Sequence, residues 1–207
     1  MTLVAALSAL AAMQASVFRT NDAAARLGLA NAHASTILAR LAASRHLVRL
    51  RRGVWAFADR VDPLALPEHL TFPLPSYVSL QSALYLHGMI SQMPAVTYAV
   101  SLARTRRFTT PLGTVSVHHV DPSFFFGFEN VGRGGRLATA EKALVDFLYL
   151  GPARSRLFRA LPELELPRRF SLRVARASVG RIESVRRRAC VSRALERLVV
   201  AGRRTGA

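Results

Sequence analysis

Tyr77-Val78-Ser79-Leu80-Gln81-Ser82-Ala83-Leu84-Tyr85-Leu86-His87-Gly88 is the stretch around which the rest of the chain is organised. It reads as a short helix with a start, a buried stripe and a stop. Ser76 or Ser79 stands where a hydroxyl would cap the first turn, whose N–H groups have no partner inside the helix. Leu80, Ala83, Leu84 and His87 recur at helical spacing, and Gly88 supplies the left-handed residue that closes such helices. Immediately before it, residues 61–75 hold Pro63, Pro67, Pro73 and Pro75, which break regular structure and read as a linker. The chain therefore divides into residues 1–60, a proline-rich linker at 61–75, and a larger part at 76–207.

Charge distinguishes these parts. The 207 residues carry a net charge of +17, with 28 Arg against the single Lys142. Residues 1–60 hold eight Arg against Asp22 and Asp59; residues 61–150 are balanced at six basic and six acidic groups; residues 151–207 hold fifteen Arg against four Glu. A basic head, a neutral middle and a basic tail imply a polyanionic partner for at least one end. The arginine-for-lysine skew reads as a coding bias rather than a functional choice, so the sign of the charge is informative and the residue type is not. The lone Cys190 excludes an intramolecular disulfide, fits a reducing cytoplasm, and reads as a small packed residue on a helix. No run is long enough to span a membrane, and the apolar residues 1–16 lack the basic leading segment of a signal peptide.

Residues 1–60 read as a winged helix-turn-helix. Leu3, Leu7, Leu10 and Met13 mark one face of a first helix. Thr20 is the expected cap of a second, with Asp22 at the positive end of its dipole, and Gly28 breaks it. Leu29 plugs the turn, and Asn31 is the expected cap of a third helix running to about Ser44, with Ala34, Ile37, Leu38 and Leu41 inward. Its other face begins with short or polar residues, which suits a helix whose N-terminal turns meet base edges in the major groove. On that reading Asn31, His33, Ser35 and Thr36 are the candidates for base contacts. Residues 47–57 follow as a β-hairpin with Arg51-Arg52-Gly53 at its tip, able to reach phosphates or the minor groove. Arg40, Arg45, Arg49, Arg51 and Arg52 are the candidates for phosphate contacts.

Beyond the opening stretch, residues 96–102 alternate as a strand and 108–120 as a hairpin turning at Pro111-Leu112-Gly113. Phe124-Phe125-Phe126-Gly127-Phe128 reads as an aromatic plug or a strand edge, and residues 132–136 as a flexible turn. Thr139 caps a helix through Leu150, with Glu141 in its first turn and Ala143, Leu144, Phe147 and Leu148 inward. Residues from Pro152 onward read as helical and basic. Val191, Ala194, Leu195 and Leu198 form an apolar stripe there, with Arg186, Arg187, Arg188, Arg193 and Arg197 largely opposite. The fold class is α+β: a winged helix-turn-helix, then a mixed α/β domain with a basic helical tail.

Catalytic and metal patterns are not found. His118 and His119 are neighbours on a strand and face opposite ways, and His119 with Asp121 lacks a third ligand. Glu141 and Asp146 are five residues apart on one helix and fall on different faces. His87 reads as a packed histidine, and residues 132–135 lack the strand, Lys and Ser/Thr of a phosphate-binding loop. The expectation is a protein without a catalytic site, a metal or a cofactor.

Three blocks carry a resemblance: Tyr77 to Gly88 as quoted, the strand and hairpin at 96–120, and Leu137-Ala138-Thr139-Ala140-Glu141-Lys142-Ala143-Leu144-Val145-Asp146. In this order, behind a winged helix, the chain resembles the AbiEi-type antitoxins and transcriptional regulators of type IV toxin–antitoxin systems. The resemblance implies a head that binds operator DNA and represses the antitoxin–toxin operon. It also implies a larger C-terminal antitoxin domain that counteracts a nucleotidyltransferase-like toxin. Lys142 departs from the pattern where an Arg is expected, and the Arg-rich tail follows no family pattern. The expected partners are double-stranded operator DNA, with inverted repeats that two copies of the chain would read as a homodimer, and the cognate toxin. No membrane partner is expected. The alternative is an interaction module whose basic C-terminal domain binds an acidic protein or RNA without sequence-specific DNA recognition.

Overall fold

The computed structural model describes residues 1–151 and 164–204. The expected start of the basic helical region, at Pro152, lies outside the described residues. The chain is mixed α+β, with two sheets and eight α-helices among the described residues.

The first helix, α1 (Leu3–Ala11), is capped by the Thr2 hydroxyl and buries Ala6 and Leu10. A short strand β1 (Val17–Arg19) leads into α2 (Thr20–Leu27), which stops at Gly28 with φ 64, the left-handed conformation its missing Cβ permits. Helix α3 (Asn31–Ala43) buries Ala34, Ile37, Leu38 and Leu41, the stripe expected from spacing. The hairpin β2 (Val48–Arg51) and β3 (Val54–Ala56) then pairs with β1 in the order β1-β3-β2. Two expected caps are not used. Thr20 is the first residue of α2, and its Oγ1 instead accepts the indole N–H of Trp55 at 3.0 Å. The α2 start is closed by the Asp22 carboxylate, which accepts the Arg19 N–H at 2.8 Å. Asn31 is the first residue of α3 rather than its cap, which is Ala30.

Residues 61–75 are not an extended linker. They contain α4 (Leu66–Thr71), with Pro67 inside the first turn, where its missing N–H costs nothing. Leu66 and Leu70 are buried, and Glu68 reaches Arg136 at 3.3 Å and the Ser76 N–H at 3.1 Å. The prolines shorten the helix without abolishing it.

The stretch quoted first also folds differently from its expected single helix. Ser76–Val78 forms the strand β4, and the helix α5 spans only Leu80–Leu86. Tyr77 and Val78 are aromatic and β-branched, and both ladders beside them are available: β4 pairs antiparallel with β5 (Thr97–Ser101) and parallel with β9 (Gly135–Ala138). The chain turns from strand to helix at Leu80, buried with φ 54, a left-handed conformation that costs a non-glycine residue about 1–2 kcal/mol. Gly88 closes the helix at φ 68, as expected.

The remaining strands are β6 (Arg106–Thr110), β7 (Gly113–His119) and β8 (Phe128–Val131), and the six-stranded sheet runs β6-β7-β5-β4-β9-β8. The 106–119 hairpin is formed as expected, but β7 lies parallel to β5. Residues 132–136 are the tip and return of the β8–β9 hairpin, and Asp62 accepts the Arg133 N–H there at 3.0 Å. Helix α6 (Ala140–Leu150) is capped by Thr139, and α7 (Leu172–Gly180) and α8 (Val185–Arg204) follow.

Side chains alternate across this sheet and serve two cores. Tyr98 and Val100 face α5, α6, α7 and α8, in a cluster with Leu84, Leu144, Phe147, Val179 and Leu195. Ala99, with Val115 and Val117, faces the other way onto Leu66 and Leu70 of α4 and onto Leu50 and Val54 of the β2–β3 hairpin. The three-stranded sheet is likewise covered on both sides. Trp55, Phe18 and Leu47 pack on the helices of the head, while Leu50, Val54 and Ala56 pack on α4 and the larger sheet.

Candidate nucleic-acid interface

Helix α3 presents its outer face to solvent from the first residue. Asn31, His33, Ser35, Thr36 and Arg40 are all exposed, as are Ala32, Ala39 and Ala43. At roughly 100° per residue, Ala32, Thr36, Ala39 and Ala43 occupy the centre of that face. Ser35 flanks one side and Arg40 the other, while Asn31 and His33 fall at opposite margins. The centre is therefore flat and built of small side chains, which lets a helix backbone approach base edges closely. The Thr36 hydroxyl donates to the Ala32 carbonyl at 3.1 Å, so toward a ligand it is left chiefly as an acceptor. Of the four candidates for base contacts, Thr36 shares the face centre with the alanines, Ser35 lies at its flank, and Asn31 and His33 cannot both face one groove floor.

Helix positions are fixed by polar ties. Arg26 Nε on α2 donates to the Ala9 carbonyl of α1 at 3.1 Å, and Leu29 N–H bonds back to Ala24 across the turn at 3.0 Å. Arg60 closes the head from below, donating to the Ala11 carbonyl at 3.3 Å with its guanidinium 4.4 Å over the Phe57 ring.

The five candidates for phosphate contacts divide. Arg40, Arg45, Arg49 and Arg52 are exposed. Arg49 lies 5.5 Å over the Trp55 ring, and Arg45 stands just after α3 with φ 61. Arg51 is engaged within the protein: its Nη2 donates to the Phe72 carbonyl at the end of α4 at 3.1 Å, and the Arg19 guanidinium sits 4.2 Å over the Phe72 ring. The strand register shifts between Arg49 and Arg51, just before this contact. The role of Arg51 at the hairpin tip is that of a strut to the rest of the molecule.

Residues 6–58 match the family of AbiEi antitoxin transcriptional regulators. The match spans α1 through the β2–β3 hairpin, so the regulator family is met in the head, and residues 77–146 lie outside it. No curated protein matches the chain. The matched segment carries the exposed α3 face and the arginine hairpin.

A second polar constellation escaped sequence reasoning. Lys142 and Asp146 on α6 form a fully buried ion pair. The Asp146 carboxylate also accepts from the Tyr77 hydroxyl at 3.0 Å and from the Ser79 hydroxyl at 2.8 Å, so Ser79 holds the N-cap position of α5 as expected but its hydroxyl does not close the first turn. Lys142 Nζ donates to the Phe124 carbonyl at 3.0 Å and lies 3.7 Å over the Phe124 ring and 4.5 Å over that of Phe126. Residues 124–128 are thus both plug and strand, since Phe124 wraps the lysine and Phe128 opens β8. Gly127 has φ 73, and a Cβ there would come within 3.0 Å of the Lys142 stem. Burial raises the Asp146 carboxyl and lowers the Lys142 ammonium, each opposed by the partner's charge. Burial, with Asp146 beside it, pushes the Tyr77 phenol well above its usual value. The signal in the sequence was an i, i+4 Lys–Asp pair inside an otherwise apolar stripe.

Other expectations are resolved locally. His87 Nε2 lies 2.7 Å from the Ala138 carbonyl, a packed histidine as expected. His118 is half-buried beside Ser116, whereas His119 is exposed, with Nδ1 3.2 Å from the Leu102 carbonyl. Glu141 lies in the first turn of α6 and also accepts the Ser171 N–H at the start of α7 at 2.7 Å. Cys190 is exposed on α8, not packed, because the buried stripe there runs through Val191, Leu195 and Val199. Among the described residues no His, Cys, Asp or Glu group is arranged to hold a metal, and no helix is long and apolar enough to cross a membrane.

Proposed function

We propose that this chain is the antitoxin of a type IV toxin–antitoxin pair, a cytoplasmic protein that represses its own operon through a winged helix-turn-helix and counteracts a nucleotidyltransferase-like toxin. The observation that carries the reading is the small-residue, polar-flanked face of α3, exposed beside an arginine hairpin within the segment that matches the regulator family. In this reading α3 enters the major groove. Thr36 contacts bases from the centre of the helix face and Ser35 from its flank, with Asn31 or His33 reaching the margins. Arg40, Arg45, Arg49 and Arg52 hold phosphates, and Arg51 holds the hairpin in place. The head spans residues 1–60 and the antitoxin domain 76–207, with two copies on an inverted repeat.

A gel shift of the full-length chain on the region upstream of its own gene tests this. Selective retention over random duplex at moderate ionic strength is the expected result, and equal affinity for both sinks the regulator reading. Ser35→Ala or Thr36→Ala should change which sequence is preferred, whereas uniform weakening would reduce them to positioning residues. One observation favours the alternative of an interaction module: Arg168, Arg169, Arg173, Arg193 and Arg197 are all exposed in the C-terminal part. Antitoxicity that survives loss of repression when Arg49 and Arg52 are replaced would separate the two roles without cutting the chain.

A further inference from the structure

A cavity of about 620 Å³ opens between the end of α6, the loop joining α7 to α8, and the first turns of α8. Its lining includes Tyr149, Arg181, Ser184, Arg186 and Arg187, together with Asp121 and Glu183. The volume lies within the usual range for a small-molecule site.

Two of the three arginines are held by aromatic faces rather than by acids. The Arg181 guanidinium lies 3.7 Å over the Phe126 ring and that of Arg187 lies 4.6 Å over the Tyr149 ring. A guanidinium seated on a ring keeps its orientation while its N–H groups stay available in its own plane. Among the described residues none of these three side chains donates a hydrogen bond or joins an ion pair. Among the described residues neither Asp121 nor Glu183 forms an ion pair with them, and Asp121 Oδ1 accepts both the N–H and the hydroxyl of Ser123, at 3.0 and 2.8 Å. Ser184 caps α8, accepting the Arg187 N–H at 3.3 Å, so the positive end of a 20-residue helix adds to the same wall.

We propose that this cavity is a binding site for a phosphate ester of mononucleotide size. Arg181, Arg186 and Arg187 grip the phosphoryl oxygens, and Asp121 and Glu183 accept from sugar hydroxyls or base amines. The site is independent of the head, so it stands whether or not α3 reads DNA.

Calorimetric titration of the full-length chain at low ionic strength tests the assignment, with inorganic phosphate and a nucleoside monophosphate as separate probes. Saturable binding is expected, tighter for the nucleotide than for phosphate alone. Arg181→Gln and Arg186→Gln should each weaken it about tenfold. Arg197→Gln, on α8 but outside the cavity, should leave it unchanged, and thermal melts establish that each variant is folded. Absence of saturable binding by either probe overturns the proposal. So does equal weakening by Arg197→Gln, which would reveal a diffuse basic surface. A nucleotide that binds no better than inorganic phosphate overturns the choice of ligand.

Discussion

Lys142 and Asp146 stand one helical turn apart on α6 and neutralise each other where neither meets solvent. Every polar atom of the pair has a partner: the Phe124 carbonyl for the ammonium, and the hydroxyls of Tyr77 and Ser79 for the carboxylate. Removing one charge strands the other in a low-dielectric core. Asp146→Ala is expected to cost about 3–5 kcal/mol in urea unfolding. Lys142→Met combined with Asp146→Leu should cost less than the two single changes added together. Additive losses would show that the two residues act separately.

Leu50 gives a second measurement. It belongs to the head hairpin but packs with Leu66 of α4 and with Val115 and Val117 of the larger sheet. Leu50→Ala should cost about 2–5 kcal/mol, the range for a buried leucine. The whole chain should also unfold in one transition by both tryptophan fluorescence, which reports on Trp55 in the head, and circular dichroism. Two separated transitions would mean that the shared apolar layer does not couple the parts.

The divided arginines predict divided salt effects. With four exposed guanidinium groups at phosphates, log affinity for duplex should fall against log salt with a slope of about −3.6. Arg52→Ala should flatten that slope by about one phosphate's share, whereas Arg51→Ala should lower stability and leave the slope nearly as it was. The reverse pattern would place Arg51 on the DNA.

Protonation gives a fourth test. Burial lowers the His118 and His69 pKa values from the ordinary 6.5, with Glu68 partly opposing the shift at His69. The folded protein then binds fewer protons than the unfolded chain, and stability is lost as pH falls below about 6.5 through the lowered values. Chemical denaturation between pH 7.5 and 5.5 should show the loss, and His69→Gln with His118→Gln should flatten it (conditions roughly spanning the ordinary histidine range). An unchanged pH dependence in the double variant would remove both histidines from the linkage.

What the sequence disclosed follows from how local each signal is. The stripe of Ala34, Ile37, Leu38 and Leu41, the stop at Gly28, the cap at Thr139 and the hairpin at Pro111-Leu112-Gly113 are each written within a few residues, and each appears in the structure. The errors arise where a distant partner decides. Tyr77 and Val78 fit a helical reading until β5 and β9 offer ladders on both sides. Thr20 looks like a cap and the Ser79 hydroxyl like a capping group until Trp55 and Asp146 claim those hydroxyls, which leaves Ser79 at the cap position without its side-chain bond. Residues 61–75 look like a linker because proline spacing cannot reveal that Leu66 and Leu70 have a core to enter. The outer face of α3 was legible, since exposure is what remains once the buried stripe is found. The separate fate of Arg51 was not, because it depends on a carbonyl 21 residues away.

The three-stranded sheet of the head is covered on both faces, and Leu50, Val54 and Ala56 answer to a neighbour that residues 1–60 do not contain. Cut out alone, the head would present a greasy underside to water. It is not a portable cassette: moved onto another effector it would need a new floor beneath its hairpin. Any change in the larger part that tilts β7 would also re-aim the arginines above it.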